Sequence, residues 1–472
     1  MTRTSGDAFR VNLLRPRGML ALLRQGWLPY VFQAAALASI VVLIVNAWGV
    51  FPEDATAAKI LRKTNTTTLA VWGLWWPALL VASVVLGRLW CTVCPVELVT
   101  NVTRRVTRRL GIEGVALPTW ARAGAIIIAL YMLLQLLVAG YSLHRNPGYT
   151  SWMLVGLLGL GLIVGVAFRD PRAFCKGFCP AALLLDAYSR FTPVHLTAKD
   201  TAVCDACETR ECVAAELRDR WDCRSCPSRL QPYAREAGDG CVLCLQCAKV
   251  CPYDNMGFGV ARPGFGPRVM RPLSIGAAIF VVIASGFVAH ELSAEVKPFD
   301  EVFHAVPQQF SATLGLGFDW AEAVWFLLLL PLAVAALMWG ATRIAKGTPT
   351  FAEWLAGAAL VITPAVAAGH VTKAIVKMSS WSPFIPLSLA EPGGRATAAR
   401  ILSEAQAAPP ALLPHAALAA VGILLMALGA GLALATIRRD TIPASRLSST
   451  VGLSAVTALY CVVIVGLGVI GK

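Results

Sequence analysis

Charged residues are scarce in this 472-residue chain, at 14% of the total, whereas hydrophobic residues make up 57%. Soluble domains carry nearer a quarter charged residues. The chain also lacks a Walker A phosphate loop, a G-x-G-x-x-G motif after a strand, and a C-x-x-C-H haem-attachment motif. Nothing pairs a nucleophile with a positioned base. These absences argue against a soluble protein, a kinase and a hydrolase.

Long apolar segments dominate the chain. A membrane-spanning helix needs about 20 mostly apolar residues. The segments that qualify are 29–50, 70–88, 121–141, 151–168, 272–290, 322–341, 353–377, 412–436 and 449–470. The predicted fold is therefore an α-helical polytopic integral membrane protein with about nine transmembrane helices.

Basic residues predict how these helices are oriented. Five arginines precede the first span, and further basic residues lie in loops that fall on the same side: Arg3, Arg10, Arg15, Arg17 and Arg24, then NVTRRVTRRL, ATRIAK and IRRD. Basic loops mark the cytoplasmic side of a membrane. The N-terminus is thus predicted to lie in the cytoplasm, as an anchor and not a cleaved signal peptide, with the chain in the inner membrane. The net charge of +14 follows from these short loops beside apolar helices, so nucleic acid is not an expected partner.

Fourteen cysteines are present, and all except Cys461 are predicted to lie on or near the cytoplasmic face, where thiols stay reduced. They are therefore expected to bind metal and not to form disulfides. Cys461 sits in an apolar span and is predicted to be a small buried hydrophobic residue.

The densest cysteine stretch lies between the fourth and fifth spans. Cys241, Cys244, Cys247 and Cys251 follow the spacing C-x2-C-x2-C-x3-C, with a proline next. This is the bacterial ferredoxin run, in which three thiolates bind one cubane cluster and the fourth binds a second cluster. Residues 196–262 are therefore predicted to form an inserted, cytoplasmic, ferredoxin-like α+β module.

The upstream cysteines of this insert allow two interpretations. In the first, two [4Fe-4S] clusters are bound: one by Cys204, Cys207, Cys212 and Cys251, the other by Cys226, Cys241, Cys244 and Cys247. Cys223 is then left over, or replaces Cys212. In the second, Cys204, Cys207, Cys223 and Cys226 form a four-thiolate zinc site with C-x2-C-x15-C-x2-C spacing. The first interpretation is favoured, because the second leaves Cys212 and Cys251 without a site.

Two further cysteine pairs occur where spans reach the cytoplasm. Cys91 and Cys94 follow the second span, Cys175 and Cys179 follow the fourth, and each pair ends in Cys-Pro. If the four thiolates converge, they could hold a further iron–sulfur cluster or zinc, since soft ligands favour these metals. The competing interpretation is a pair of structural turns.

The similar surroundings of the two pairs indicate an internal duplication. The predicted domains are a first membrane half-repeat, a second half-repeat, the ferredoxin-like insert and a C-terminal membrane domain, at residues 1–110, 111–195, 196–262 and 263–472.

With its paired membrane Cys-Pro motifs and ferredoxin-type insert, the chain resembles the membrane polyferredoxins. These include ferredoxin-type subunits associated with periplasmic nitrate reductase, the nitrous-oxide-reductase regulator group and cytochrome-oxidase accessory proteins. The resemblance covers about residues 70–260. It implies [4Fe-4S] clusters and electron transfer for a respiratory or metalloenzyme system, with ligand roles at Cys241 to Cys251 and, less directly, at Cys204, Cys207, Cys212 and Cys226. The spacing of Cys91 and Cys94 is one residue shorter than that of the second pair, and residues 272–472 have no counterpart in the resemblance.

The C-terminal half contributes ionisable residues near the predicted outer face. His290 and His370 lie at similar depth on separate spans, and His304 and Lys373 could bind anionic groups beside them. A haem b, copper or quinone site is therefore predicted here. Ordinary interfacial histidines and a snorkelling lysine are the simpler alternative.

Three functions follow from these patterns. The leading one is an electron-transfer protein of the lipid bilayer that connects a cytoplasmic electron-donor protein to a quinone or an extracytoplasmic oxidoreductase. The second is an assembly factor that reduces a metal for a partner oxidoreductase. The third is a non-redox membrane protein with a structural zinc module.

Overall fold

The computed structural model describes residues 9–232, 240–261, 273–315, 317–344, 349–439 and 446–470. The predicted domain boundary between 262 and 263 lies outside these ranges, as do Arg3 and the ends of the basic loops ATRIAK and IRRD.

Eight helices among the described residues are long and apolar enough to cross a membrane. They are Tyr30–Ala47, Thr66–Val85, Pro147–Ala167, Ile275–Ser293, Phe318–Ile344, Phe351–Ala390, His415–Arg438 and Arg446–Val469. The remaining predicted span, 121–141, corresponds to a shorter apolar helix, Ala125–Gly140, of 16 residues. The fold is thus compatible with a polytopic helical membrane protein.

Shorter helices connect and flank these spans. They are Arg17–Leu23, Ala55–Thr64, Trp90–Val93, Pro95–Arg109, Thr119–Arg122, Leu143–Arg145, Ala173–Gly177, Ala182–Tyr188, Ser189–Phe191, Thr201–Asp205, Gln246–Val250, Lys297–Leu314 and Arg395–Leu402.

Two spans contain a π-helical segment, Leu69–Trp75 and Trp325–Leu329. A proline follows each segment closely, Pro77 and Pro331. A proline inside a helix has no N–H to donate, and its ring crowds the carbonyl four residues earlier. That carbonyl falls within the π segment in both spans, so the wider turn accommodates the proline without ending the helix.

A small antiparallel sheet accompanies the helices. Its strands are β1 (Phe9–Asn12), β2 (Val194–Ala198) and β3 (Met256–Ala261), in the order β1-β3-β2. Alternate residues of β2 are buried, as expected for a strand with one face in a core. β2 and β3 lie at the two ends of the predicted insert, residues 196–262, whereas β1 comes from the stretch predicted as the first membrane half-repeat.

The chain forms two compact units, neither of which is a continuous stretch. The first comprises Met1–Ser39, Ala82–Arg122 and Leu157–Arg271, and the second comprises Ile40–Val81, Ala123–Gly156 and Pro272–Lys472. All the cysteines predicted as metal ligands belong to the first unit. His290, His304, His370 and Lys373 belong to the second.

Candidate metal centres

The first thiol set of the insert consists of Cys204, Cys207, Cys212 and Cys251, which line one pocket. Burial and, to a smaller extent, the three other thiols of the set raise the pKa of Cys212 to about 11. Two donors face the sulfur atoms: the Asn255 backbone N–H lies 3.3 Å from Cys251 Sγ, and its side-chain Nδ2 lies 3.2 Å from Cys204 Sγ. Such hydrogen bonds stabilise thiolate ligands and tune the potential of a cluster.

The second thiol set consists of Cys226, Cys241, Cys244 and Cys247, which line another pocket. The backbone N–H groups of Leu230 and Leu243 lie 3.4 Å from Cys226 Sγ and 3.5 Å from Cys241 Sγ. Leu243 and Leu245 have positive φ angles of 55° and 57°. These left-handed residues curl the loop tightly, and backbone amides in such curled loops form anion-binding concavities.

Both sets match the first of the two ligand assignments made from the sequence. The thiol of Cys223 lies 3.6 Å from the carboxylate of Asp222 and lines neither pocket. The zinc assignment would require Cys223 beside Cys204 and Cys207, whereas those two cysteines share their pocket with Cys212 and Cys251.

The third set, called the boundary set below, contains Cys91, Cys94, Cys175 and Cys179. Each thiol interacts electrostatically with others of the set, so the two Cys-Pro motifs converge. Burial raises the pKa of both Cys94 and Cys179 to about 12. The extended backbone of Cys94 (φ −64°, ψ 124°) is what a following proline imposes, and Pro95 then begins the next helix.

Two buried arginines accompany the boundary set. The side chains of Arg88 and Arg172 interact with the thiols of Cys91 and Cys175. Burial alone would lower the pKa of Arg172, but the nearby thiols and the carboxylate of Glu97 raise it overall. Arg88 Nε and Arg172 Nη2 are buried without a hydrogen-bond partner among the described residues. The Arg88 guanidinium also pairs with Asp186, at 3.0 Å. Four soft donors beside two buried guanidinium groups, each with one nitrogen that makes no hydrogen bond among the described residues, fit an anionic, thiolate-ligated cluster.

A hydrogen bond links the chain segments that carry the second set and the boundary set. The hydroxyl of Thr92, next to Cys91, donates a 2.9 Å hydrogen bond to the carbonyl oxygen of Val242, next to Cys241. Arg172 also interacts with the thiols of Cys226 and Cys244 in the second set.

In the second unit, the predicted residues fall into different surroundings. The rings of His290 and His304 have centroids 6.4 Å apart. The ring of His370 lies instead against Phe287 and Trp76, with centroid separations of 5.6 and 6.5 Å.

Lys373 is paired with carboxylates. Its Nζ lies 2.7 Å from a carboxylate oxygen of Glu295 and 3.4 Å from one of Glu291. A role for His290, His304, His370 and Lys373 in binding a cofactor stays a prediction.

Sequence reasoning missed several polar residues at these sites. Glu97, Arg88 and Arg172 lie at the boundary set, and Glu322 lies beside His290 and His304. A carboxylate at position 322, early in an otherwise apolar span, was the available signal.

Comparison with known proteins supports an iron–sulfur protein of ferredoxin type. A family model described as a 4Fe-4S binding domain matches residues 68–113 and again residues 152–198. The two matches contain the two Cys-Pro pairs of the boundary set. They do not identify any of the narrower families of membrane polyferredoxins.

Two uncharacterized proteins of Methanocaldococcus jannaschii are similar to the chain. One is 27% identical over 183 residues, which is 38% of this chain and 67% of the relative. The other is 21% identical over 198 residues, 39% of this chain and 76% of the relative. No solved structure matches the chain significantly.

Proposed function

We propose that this protein is a membrane-bound iron–sulfur electron carrier between a cytoplasmic donor protein and a quinone or an acceptor at the outer face. The observation that carries the proposal is the grouping of twelve cysteines into three sets of four within one compact unit. A [4Fe-4S] cluster in each set would supply a one-electron redox centre. The family matches over the boundary set support the same chemistry.

Two links between the sets support a proposed order for electron transfer. The helix Gln246–Val250 carries Cys247 of the second set and ends directly before Cys251 of the first. The Thr92–Val242 hydrogen bond then joins the second set to the boundary set. The proposed route is therefore first set, second set, boundary set, with the first set as the entry point for electrons.

The protein's own groups perform three tasks in this scheme. The thiolates hold the clusters, the amides of Leu230, Leu243 and Asn255 donate hydrogen bonds to sulfur, and the buried guanidinium groups offset negative charge. Hydrogen bonds to sulfur and nearby positive charge favour the reduced, more negative state of a cluster. The protein thus sets the potentials through residues close to each thiol set.

The acceptor side is proposed to lie in the second unit. Lys373, Glu291 and Glu295 form an ion-pair group within and beside apolar helices, with His370 in electrostatic range of Glu291. Ionisable residues at membrane depth are functional by default. A carboxylate–lysine group beside an imidazole can exchange protons with a quinone as its redox state changes.

The test is anaerobic purification of the full chain, with iron, acid-labile sulfide, zinc, copper and haem quantified and with EPR-monitored redox titration. Three cubanes predict about twelve irons per chain. Replacing Cys94 and Cys179 with serine should remove about four irons and leave about eight, because the other two sets stay complete. Cys461→Ser, in an apolar span, is the matched control and should change nothing.

Zinc without iron or sulfide would overturn the proposal in favour of a structural zinc module. Reoxidation of the reduced clusters by a soluble quinone analogue tests the acceptor separately. Metallation of a partner oxidoreductase in a deletion strain tests the alternative, a metal-reducing assembly factor. If the protein is an assembly factor, deleting it should leave the partner oxidoreductase without its metal. If it is an electron carrier, the partner should keep its metal but lose its electron flux.

A further inference from the structure

Three potential metal ligands from three helices meet in the second unit. His290 lies near the end of the span Ile275–Ser293, His304 lies in the helix Lys297–Leu314, and Glu322 lies early in the span Phe318–Ile344. One ligand atom from each residue lies within 4.8 Å of the other two. No side chain of the thiol sets takes part, so this group is independent of the proposed iron–sulfur centres.

The spacing of these atoms suits a metal ion. His290 Nδ1 lies 3.5 Å from Glu322 Oε1, and His304 Nε2 contacts the same oxygen directly. A tetrahedral ion with bonds of about 2.0–2.1 Å places neighbouring ligand atoms about 3.3 Å apart. The three donors therefore need only small side-chain adjustments to share one ion.

A buried ring nitrogen of this group makes no hydrogen bond among the described residues. This nitrogen is His290 Nδ1. The three side chains are only 19%, 20% and 14% exposed, in the order His290, His304, Glu322. A buried polar atom without a hydrogen bond is costly, and a bound cation would satisfy it.

The surroundings hold the ligands in place. His304 Nδ1 lies 3.6 Å from Asp300 Oδ1, so the other ring nitrogen, Nε2, is the one directed at Glu322. A carboxylate behind a metal-binding histidine is the usual means of fixing its tautomer and orientation. Phe326 stacks on the His290 ring with centroids 4.3 Å apart and 7° between planes. Phe326 belongs to the π-helical segment Trp325–Leu329, so the geometry of that segment positions the ring that stacks on His290.

We infer that His290, His304 and Glu322 form a binding site for a divalent transition-metal ion. Two imidazoles and one carboxylate suit zinc in an open three-ligand site, and the same set suits non-haem ferrous iron. Calcium and magnesium are disfavoured, because they require mostly oxygen ligands.

The experiment titrates Co(II), as a spectroscopic probe, and then Zn(II) into the detergent-solubilised full chain after chelation of loosely bound metal. One equivalent should bind, with visible cobalt bands and without sulfur-to-cobalt charge transfer, which would mark binding by cysteine. His304→Ala and Glu322→Gln should each weaken metal binding by at least about tenfold. Loss of a residue that hydrogen-bonds to a metal ligand already costs about that much, and loss of the ligand itself should cost no less. Asp300→Asn should weaken it about 10- to 100-fold. His415→Ala changes an exposed histidine outside the group and should bind as the wild type does.

Glu322→Gln keeps the shape and one oxygen of the side chain, so it guards against a variant that simply fails to fold. Its thermal unfolding is compared with the wild type without metal and with Zn(II). Stabilisation by zinc in the wild type alone supports the site. The inference is overturned if wild-type protein binds no stoichiometric Co(II) or Zn(II), or if Glu322→Gln and His304→Ala bind either ion as tightly as the wild type. Either result would leave the iron and sulfide content of the thiol sets unchanged, so it would not bear on the proposed electron transfer.

Discussion

Cys247 and Cys251 stand one helical turn apart, and that turn separates the two pockets of the insert. Cys247 lines both pockets, whereas Cys251 lines only the pocket of the first set. A ligand run of this kind binds two clusters from one short segment. A single turn of backbone therefore holds the two insert sets at a fixed separation. Electron transfer between clusters bound by these sets would not depend on movement of separate domains.

The insert offers a direct test of the ligand assignment with two neighbouring cysteines. Cys212→Ser should remove about four irons and one EPR signal, because Cys212 lines the same pocket as the three other thiols of the first set. Cys223→Ser should keep all the iron, because Cys223 faces Asp222 and lines neither pocket. Iron and sulfide analysis of the two variants decides the matter. Iron retained in Cys212→Ser and lost in Cys223→Ser would reverse the assignment.

The hydrogen bond between Thr92 and Val242 should affect electron exchange between the second set and the boundary set. Thr92→Val keeps the side-chain shape but leaves the Val242 carbonyl without its donor, at a cost of about 1 kcal/mol in stability. The loop beside Cys241 is then less firmly anchored, so reduction of the boundary cluster after flash photoreduction should slow while iron content stays constant.

Thr107→Val is the matched control for this change, because within the described part of the chain the Thr107 hydroxyl bonds only to the carbonyls of Thr103 and Arg104 in its own helix. Rapid-freeze EPR measures the rate in each protein. Equal rates in the Thr92 and Thr107 variants would show that the hydrogen bond has no part in the route.

Arg172 should raise the reduction potentials of two of the three clusters. Its guanidinium interacts with Cys91 and Cys175 of the boundary set and with Cys226 and Cys244 of the second set. Arg172→Gln removes the positive charge and so disfavours the reduced clusters, which are more negative. Both reduction potentials should therefore fall, and each tenfold change in the one-electron equilibrium corresponds to roughly 60 mV. Arg172→Lys keeps the charge and should retain most of the potential.

An EPR-monitored redox titration measures these shifts. The cluster of the first set is the internal reference and should titrate as in the wild type, because no interaction joins its thiols to Arg172 among those described. A fall confined to the first set, or a rise in the other two, would contradict the electrostatic account.

The stability of the protein should decrease below about pH 6.5 because of His144, which lies outside the spans. Burial lowers the pKa of His144 well below its ordinary value of 6.5, and the nearby cations Arg145, Lys377 and Arg62 lower it further. The unfolded chain therefore takes up a proton that the folded chain does not. Below about pH 6.5 the free energy of unfolding therefore falls by at most about 1.4 kcal/mol per pH unit.

Thermal unfolding at pH 7.5 and pH 5.5 measures the effect. His144→Gln should reduce the loss between these two pH values, whereas His415→Gln, at an exposed histidine, should leave the loss unchanged. An identical acid sensitivity in the His144 variant and the wild type would assign the loss to other groups.

The apolar spans could be predicted from the sequence because a membrane-spanning helix requires a long apolar segment and little else. The exception is 121–141, where Gly124, with a φ of 98°, delays the helix until Ala125. Hydropathy does not depend on backbone conformation, so it cannot show a left-handed residue ahead of a helix. The predicted segment was therefore longer than the helix.

The ligand sets could be predicted only as alternatives, because spacing along the chain does not show how a spacer folds. The fold of this spacer includes a contact that spacing cannot show: the Cys226 N–H donates a 2.8 Å hydrogen bond to the Cys212 carbonyl. The spacer therefore folds back on itself and leaves Cys223 outside both pockets. Glu322 offered only an isolated carboxylate in an apolar span, and Arg172 offered no local pattern, since their roles depend on helices far apart in sequence.

The position of β1 in the sheet has a consequence for how the protein is made. β1 pairs with β3, and about 240 residues separate the two strands, including three helices that are long and apolar enough to cross a membrane. At about 5–20 residues per second, the ribosome needs roughly 12–48 s to deliver β3 after β1 has emerged. β1 has no partner in its own sheet during that interval, because β3 is the strand with which it pairs. The sheet, which shares a core with cysteines of the insert, thus closes only after the upstream helices have been synthesised.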